Sequence, residues 1–138
     1  MSRKDVFHES VKRGLEKEQW HISSDPLELQ WEEIRVKIDL AAERLIAAER
    51  GEEKIAVEIK SFVSPSLISD FHTALGQFLV YRIMLDEKQP DRLLYLAVPR
   101  EVYRTFFQSR FAQTAIEQHK LKLIVYNPKS EEIEQWID

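Results

Sequence analysis

The sequence predicts an α/β domain in which helices cover a mixed β-sheet. Three kinds of segment favour this class: long stretches with apolar residues at helical spacing, continuous apolar runs typical of buried strands, and one alternating stretch. The chain has 138 residues, three glycines and five prolines, and shows neither a repeat nor a low-complexity linker. Residues 1–138 are therefore predicted to form a single domain.

Composition narrows the classes of function. The chain has no cysteine, which excludes a disulfide framework and a zinc site with cysteine ligands. Its formal net charge of −4 disfavours broad non-specific binding to nucleic acid but leaves a local basic surface open. The N-terminus lacks an apolar run, and no apolar run could span a bilayer. We expect a cytoplasmic protein without a membrane partner.

Each half of the chain supplies recognisable elements. In the first half, Ser2 can cap a helix over residues 3–17, and Ile34, Val36 and Ile38 alternate with polar residues as in a strand. The predicted inner stripe of that helix is Val6, Phe7, Ser10, Val11, Gly14 and Leu15. The second half predicts a helix over 67–85, a strand over 93–98, one helix or a helix and a half over 101–119, a strand over 121–126 and a short amphipathic element over 131–138. Phe71, Phe78, Phe106, Phe107 and Phe111 recur at helical spacing and are predicted to be core residues.

The segment "LAAERLIAAER", residues 40–50, is ambiguous. Its alanine, glutamate and arginine content has high helix propensity. However, Gly51-Glu52-Glu53 is typical of a turn, and "KIAVEIK" follows directly. We therefore predict a hairpin of two strands, over about residues 44–49 and 54–60.

The second strand of this hairpin carries an unexpected pair of charges. Alternation puts Ile55, Val57 and Ile59 on one face and Ala56, Glu58 and Lys60 on the other. Glu58 and Lys60 could pair with each other, could lie at the rim of the sheet, or could face a cation and a polar substrate. The hairpin can bring Asp39 beside Glu58, which favours the third reading because an isolated ion pair leaves Asp39 unexplained.

Two carboxylates and a backbone carbonyl such as that of Ile59 make a hard-oxygen site suited to Mg²⁺. A neighbouring lysine can orient or deprotonate a metal-bound water and stabilise developing phosphate charge. This combination is suited to hydrolysis of a phosphodiester.

These residues resemble the D…(D/E)-x-K signature of the restriction-endonuclease-like, PD-(D/E)XK superfamily, with Asp39 followed by Glu58-Ile59-Lys60. Ile38 stands where the signature usually has proline. The predicted order of helix, three strands, helix and strand, plus an additional helix and strand, is similar to the αβββαβ core of that superfamily. A restriction-endonuclease-like core is therefore expected.

A closer resemblance covers nearly the whole chain. The segments "FHESVKRGLEKEQW", "IDLAAERLIAAERGEEKIAVEIKSF", "ALGQFLVYR" and "DRLLYLAVP" resemble XisH, the fdxN element excision controlling factor of cyanobacteria. That family is associated with the excision of a DNA element by a site-specific recombinase, beside a small companion protein, XisI. The resemblance implies DNA, a XisI-like companion and a recombinase as partners, and a homodimer is compatible with it.

The superfamily resemblance also implies roles for single residues. Asp39 and Glu58 match its metal ligands for Mg²⁺ or Mn²⁺, and Lys60 matches its catalytic lysine. Glu9, beside His8, is the candidate for an additional carboxylate from the first helix, but a solvated face is the favoured interpretation of both residues. Gln77 is a candidate polar neighbour of the site. A basic patch is expected nearby from Lys12, Arg13, Lys17, Arg35 and Lys37.

Two functions are compatible with these residues. One is a Mg²⁺-dependent endonuclease-like enzyme acting on DNA. The other is an accessory protein that keeps the fold and binds DNA, the recombinase or the companion without hydrolysis.

Overall fold

A computed structural model describes residues 2–32, 34–35 and 44–138. In chain order the elements are α1 (Arg3–Lys17), β1 (His21–Ser24), β2 (Gln30–Trp31), β3 (Ile34–Arg35), β4 (Leu45–Arg50), β5 (Glu53–Ile59), α2 (Leu67–Lys88), β6 (Arg92–Pro99), α3 (Arg100–Arg104), the 3₁₀ turn (Phe106–Gln108), α4 (Arg110–His119), β7 (Leu123–Asn127) and β8 (Glu132–Ile137). No helix in these ranges is long and apolar enough to cross a bilayer.

Six strands form one mixed sheet in the order β1-β4-β5-β6-β7-β8. Strands β5, β6 and β7 are parallel, and the pairs β1–β4, β4–β5 and β7–β8 are antiparallel. Helix α2 makes the crossover between β5 and β6, as parallel neighbours require. The predicted α/β class with a mixed sheet flanked by helices is confirmed.

The predicted hairpin is also confirmed. Strand β4 pairs with β5 in a register that puts Leu45 opposite Glu58 and Arg50 opposite Glu53. Gly51 in the turn has φ +63°, which glycine adopts without strain. Residues 45–48 are buried, so packing on both faces of the sheet overrides the helix propensity of the segment.

The two faces of the sheet carry separate cores. On one face, α1 packs against the side chains of Ile55, Val57 and Ile59, as the alternation predicts. On the other face, α2 packs over Leu45 and Ala56. Glu58 follows Ala56 by two residues in the same strand and therefore faces α2.

Helix α1 confirms the predicted bounds but buries a slightly different stripe. His8 is buried, whereas Val6 is 41% exposed, so Val6 is wrongly assigned to the inner stripe and His8 does not belong to a solvated face. Gly14 lies under β8, where an added Cβ would come within 3.2 Å of the backbone nitrogen of Ile133. This glycine allows α1 and β8 to pack closely.

In the C-terminal part, the segment 101–119, predicted as one helix or a helix and a half, is divided into α3, the 3₁₀ turn and α4. Ser109 accepts a hydrogen bond from the amide of Ala112 and starts α4. Phe111, predicted to be a core residue, is 53% exposed on α4. The tail, predicted as a short amphipathic element, is a strand that pairs antiparallel with β7. Its residues are only partly buried because this strand lies at the edge of the sheet.

Candidate functional site

The carboxyl end of β5 carries two buried charged residues. Glu58 is 1% exposed and Lys60 is 6% exposed. Glu58 lies between Leu45 of β4 and Leu96 of β6 in the centre of the sheet. Charged side chains are rarely buried this deeply without a specific role.

Helix α2 supplies two further polar groups above this strand end. Burial, together with the negative charge of Glu58, raises the pKa of Tyr81 to about 12. The Tyr81 hydroxyl therefore stays protonated near neutral pH. Gln77 lies one helical turn before Tyr81 on the same side of α2. Its Oε1 is buried and accepts no hydrogen bond from any residue within the described ranges.

The backbone around Lys60 is held from two neighbouring strands. Its amide donates to the carbonyl of Ala97 at 3.2 Å, and its carbonyl accepts from the hydroxyl of Tyr126 at 3.4 Å. Phe62, two residues later, has φ +55° and is buried against Phe107. A non-glycine residue in this left-handed region is strained, so packing fixes the path of the chain as it leaves the motif.

A second polar cluster lies on the α1 side of the sheet and meets β5 through a backbone hydrogen bond. The carbonyl of Arg44 accepts from the amide of Ile59 at 2.8 Å. The Arg44 side chain donates through Nε to Nδ1 of His8 at 3.1 Å and pairs with Asp25 at 3.3 Å. Asp25 also binds Lys12 at 2.7 Å. This cluster ties α1, the loop after β1 and the start of β4 together beside β5.

The structure brings only some of the predicted site residues together. Glu58 faces α2 and interacts with Tyr81, Lys60 follows directly after the end of β5, and Gln77 lies on the covering helix. Asp39 lies outside the described residues, so its place as a metal ligand stays a prediction. Glu9 lies on α1, which covers the opposite face, and its carboxylate is 3.6 Å from Nζ of Lys12. Its role at the site also stays a prediction.

No group of three or more histidine, aspartate or glutamate side chains is placed to hold a metal within residues 2–32, 34–35 and 44–138. The carboxylate of Glu58 and the carbonyl of Ile59 are suitable oxygen donors, but they would need a further carboxylate. Asp39, which lies outside those ranges, is the sequence-based candidate for this carboxylate.

The predicted basic patch is largely neutralised on α1. Lys12 is held by Asp25, and Arg13 lies 3.6 Å from the carboxylate of Glu131. Lys17 donates to the carbonyl of Ser130. Nothing is described for the side chain of Arg35, and Lys37 lies outside the described residues.

Sequence reasoning missed Tyr81 and Arg44 as neighbours of the site. Tyr81 could have been found from its spacing of four residues after Gln77, which places both on one helix face. Arg44 gave no local signal, because its contacts with His8 and Asp25 join distant parts of the chain.

Comparisons with known proteins give one family. The sequence matches the family described as "XisH protein" over residues 1–134. A comparison with curated proteins found no match. The crystal structure of an XisH family protein from Nostoc punctiforme is similar with a TM-score of 0.90 and 50% identity, covering 97% of this chain and 100% of that one. An fdxN element excision controlling factor protein from Anabaena variabilis gives a TM-score of 0.89 and 50% identity, covering 97% and 99%. The chain described here belongs to the XisH family.

Proposed function

We propose that this protein takes part in controlling the excision of a DNA element, and that it acts on DNA as a metal-dependent endonuclease-like module. The name of the Anabaena variabilis relative, an fdxN element excision controlling factor, supports the first part. The second part rests on one observation, the burial of Glu58 and Lys60 together at the carboxyl end of a central strand.

This burial distinguishes a site from ordinary sheet packing. A helix-covered sheet favours apolar residues on both faces, and burying charge costs several kcal/mol per ion, by order of magnitude, unless it is compensated. An internal ion pair would compensate the charges but would give no reason for two further polar side chains on α2. A cation and a phosphate group would match the carboxylate and the ammonium separately.

The strand order supports the same proposal. After α1, the strands β1, β4 and β5 are neighbours in the sheet, each antiparallel to the next. Helix α2 then leads to β6, which is parallel to β5. This is the order expected for the αβββαβ core of restriction-endonuclease-like proteins, with β7 and β8 as an extension.

Asp39 is close enough in sequence to complete the site. It precedes Leu45 by six residues, and Leu45 lies opposite Glu58. Six extended residues span at most roughly 20 Å, so the intervening chain has the length to return to the end of β5. The resemblance to the D…(D/E)-x-K signature assigns the same residue.

Each residue of the proposed site has a separate role. Asp39, Glu58 and the carbonyl of Ile59 would hold Mg²⁺ or Mn²⁺, which supplies Lewis-acid activation of water when bound. The Lys60 ammonium would orient the attacking water and stabilise negative charge on the phosphate. Gln77 supplies an amide to the same side of the strand.

Cleavage of DNA tests this proposal. We expect Asp39→Ala and Lys60→Ala to abolish Mg²⁺- or Mn²⁺-dependent cleavage of a panel of DNA substrates, with an unchanged far-ultraviolet circular dichroism spectrum. Lys54→Ala is the matched control, because Lys54 lies on the same strand but is exposed and pairs with Asp91. Normal cleavage by both site variants would refute the assignment.

We propose as the second candidate an accessory function without hydrolysis. Glu58 and Lys60 are nearly closed to solvent, which favours a retained fold over an open catalytic cleft. The protein would then bind DNA, a site-specific recombinase or a XisI-like companion. Binding of one of these that survives Glu58→Gln and Lys60→Ala, without cleavage under any metal condition, would favour this function.

A further inference from the structure

The outward face of α2 carries a regular seam that is uncharged except at its C-terminal position. Ser69, Thr73, Gly76, Val80, Ile83 and Glu87, called here the outer seam, are all exposed and follow one another at intervals of four, three, four, three and four residues. From Ser69 to Ile83 the spacing averages 3.5 residues, which is the repeat of helices that pack side by side. The first five positions have no formal charge, although 32% of the chain is charged.

The large residues of the seam are unusually open to solvent. Val80 is 46% exposed and Ile83 is 57% exposed. The opposite side of α2 packs on the sheet through Phe71, Phe78 and Leu85. A helix that is apolar on both sides is normally buried on both sides, so the outer seam has the character of a contact surface.

Gly76, at the middle of the seam, points to a close helix contact. A Cβ built on Gly76 would have no described atom within 4 Å, so packing within the described chain does not require glycine here. Glycine inside a helix is destabilising by about 0.5–1 kcal/mol relative to alanine. A position without a side chain lets a second backbone approach closely.

We propose that two copies of this chain associate through their outer seams, with the two α2 helices antiparallel and a two-fold axis at Gly76. Antiparallel pairing about Gly76 puts Ser69 opposite the partner's Ile83 and Thr73 close to the partner's Val80. Each small residue therefore packs against a large one, so the two helices can keep the same separation along their length. The seam is complementary to itself, as a two-fold interface requires.

Charge complementarity also favours a second copy over an unrelated protein. At 1.5 Å per residue, Glu87 lies about 16 Å from Gly76 in one direction, and the helix-capping Ser66 lies about 15 Å away in the other. The antiparallel pair thus brings each Glu87 to the N-terminus of the partner's helix. A carboxylate is stabilised there by the helix dipole.

The proposed dimer does not depend on the proposed endonuclease function. Its consequence, two nuclease sites related by a two-fold axis, rests on that function. Helix α2 begins seven residues after Lys60 and carries Gln77 next to Gly76. If β5 carries a nuclease site, the dimer supplies two such sites related by a two-fold axis, matching the two strands of a DNA duplex.

Sedimentation velocity of the full chain tests the dimer. We expect wild type to sediment as a dimer at micromolar concentration and Gly76→Glu to sediment as a folded monomer, because two glutamates would face each other at the axis. Ile83→Gln should raise the dissociation constant more than about tenfold. Ile68→Gln is the matched control, since Ile68 is exposed on α2 but lies off the seam, and it should leave the constant unchanged.

Disulfide trapping tests the orientation, because the chain has no cysteine of its own. Mixing a Ser69→Cys chain with an Ile83→Cys chain under mild oxidation should give the mixed cross-linked dimer in preference to either homodimer. A monomeric wild type, or equal trapping of an Ile68→Cys chain, would overturn the proposal.

A monomeric wild type that still bound Mn²⁺ through Glu58 would leave the proposed function standing. A dimer that bound no Mn²⁺ would support the pairing and contradict the proposed metal site.

Discussion

At the residue scale, the alternation of side chains along β5 determines which face of the sheet carries Glu58. Ile55, Val57 and Ile59 face α1, so Glu58 is necessarily on the other side, where its charge reaches Tyr81. Periodicity alone determines this, because successive strand residues point in opposite directions. The contacts of Arg44 with His8 and Asp25 could not be predicted in the same way, since they depend on how distant segments pack.

Glu49 offers a residue-scale prediction of pH dependence. Burial acts to raise its pKa, but hydrogen bonds from Ser23 and Arg92 outweigh burial and hold the pKa below the ordinary value of 4.5. A carboxylate with a lowered folded-state pKa stabilises the fold above the unfolded-state pKa, and this stabilisation is lost as the pH falls through the folded-state pKa.

We therefore expect Glu49→Gln to lower the free energy of unfolding at pH 7 by about 1–2 kcal/mol. The difference from wild type should shrink below pH 4.5. Urea denaturation across this pH range measures it. A difference that stayed constant down to acid unfolding would contradict the role given to the Glu49 carboxylate.

At the element scale, most strands and helices follow from the sequence because their apolar patterns are strong. Helix α1 has the predicted bounds, and the predicted hairpin forms despite the helix propensity of "LAAERLIAAER". The break in the segment 101–119 was not resolved by periodicity, because apolar residues continue at helical spacing across it. Ser109 could have indicated the break, since serine is a favoured N-cap.

The broken helix gives an element-scale prediction. Phe107 is fully buried in the turn and packs against Phe62 and Phe71, whereas Phe111 is 53% exposed on α4. Phe107→Ala should destabilise the fold by about 3–5 kcal/mol because it leaves a cavity. Phe111→Ala should cost less than about 1 kcal/mol. Thermal unfolding followed by circular dichroism compares them, and equal losses would contradict the observed packing.

At the scale of the whole molecule, the charge distribution bears on the proposed binding of DNA. The chain has a net charge of −4, and Lys12 and Arg13 are both engaged by carboxylates. The net charge predicts weak overall attraction to DNA. Only the structure identifies Asp25 and Glu131 as the carboxylates that pair with Lys12 and Arg13 of α1. In the proposed function, a bound cation would supply the positive charge that attracts phosphate to the end of β5.

We accordingly expect DNA affinity to depend on divalent metal. Fluorescence anisotropy with a labelled duplex at 150 mM salt should show at least about tenfold tighter binding with Mn²⁺ than with a chelator. Glu58→Gln should remove this difference. Equal affinity in both conditions would argue against a metal bridge to the phosphate.

Glu58 is the proposed carboxylate ligand of a metal ion. Calorimetric titration with Mn²⁺ and Mg²⁺ tests this role on wild type, on Glu58→Ala and on Glu53→Ala. Glu53 is the matched control because it lies on β5 but is exposed at the opposite end of the strand. We expect wild type and Glu53→Ala to bind the metal and Glu58→Ala to lose this binding. Binding that persists in Glu58→Ala, or no binding by wild type even with a DNA duplex present, would contradict this role.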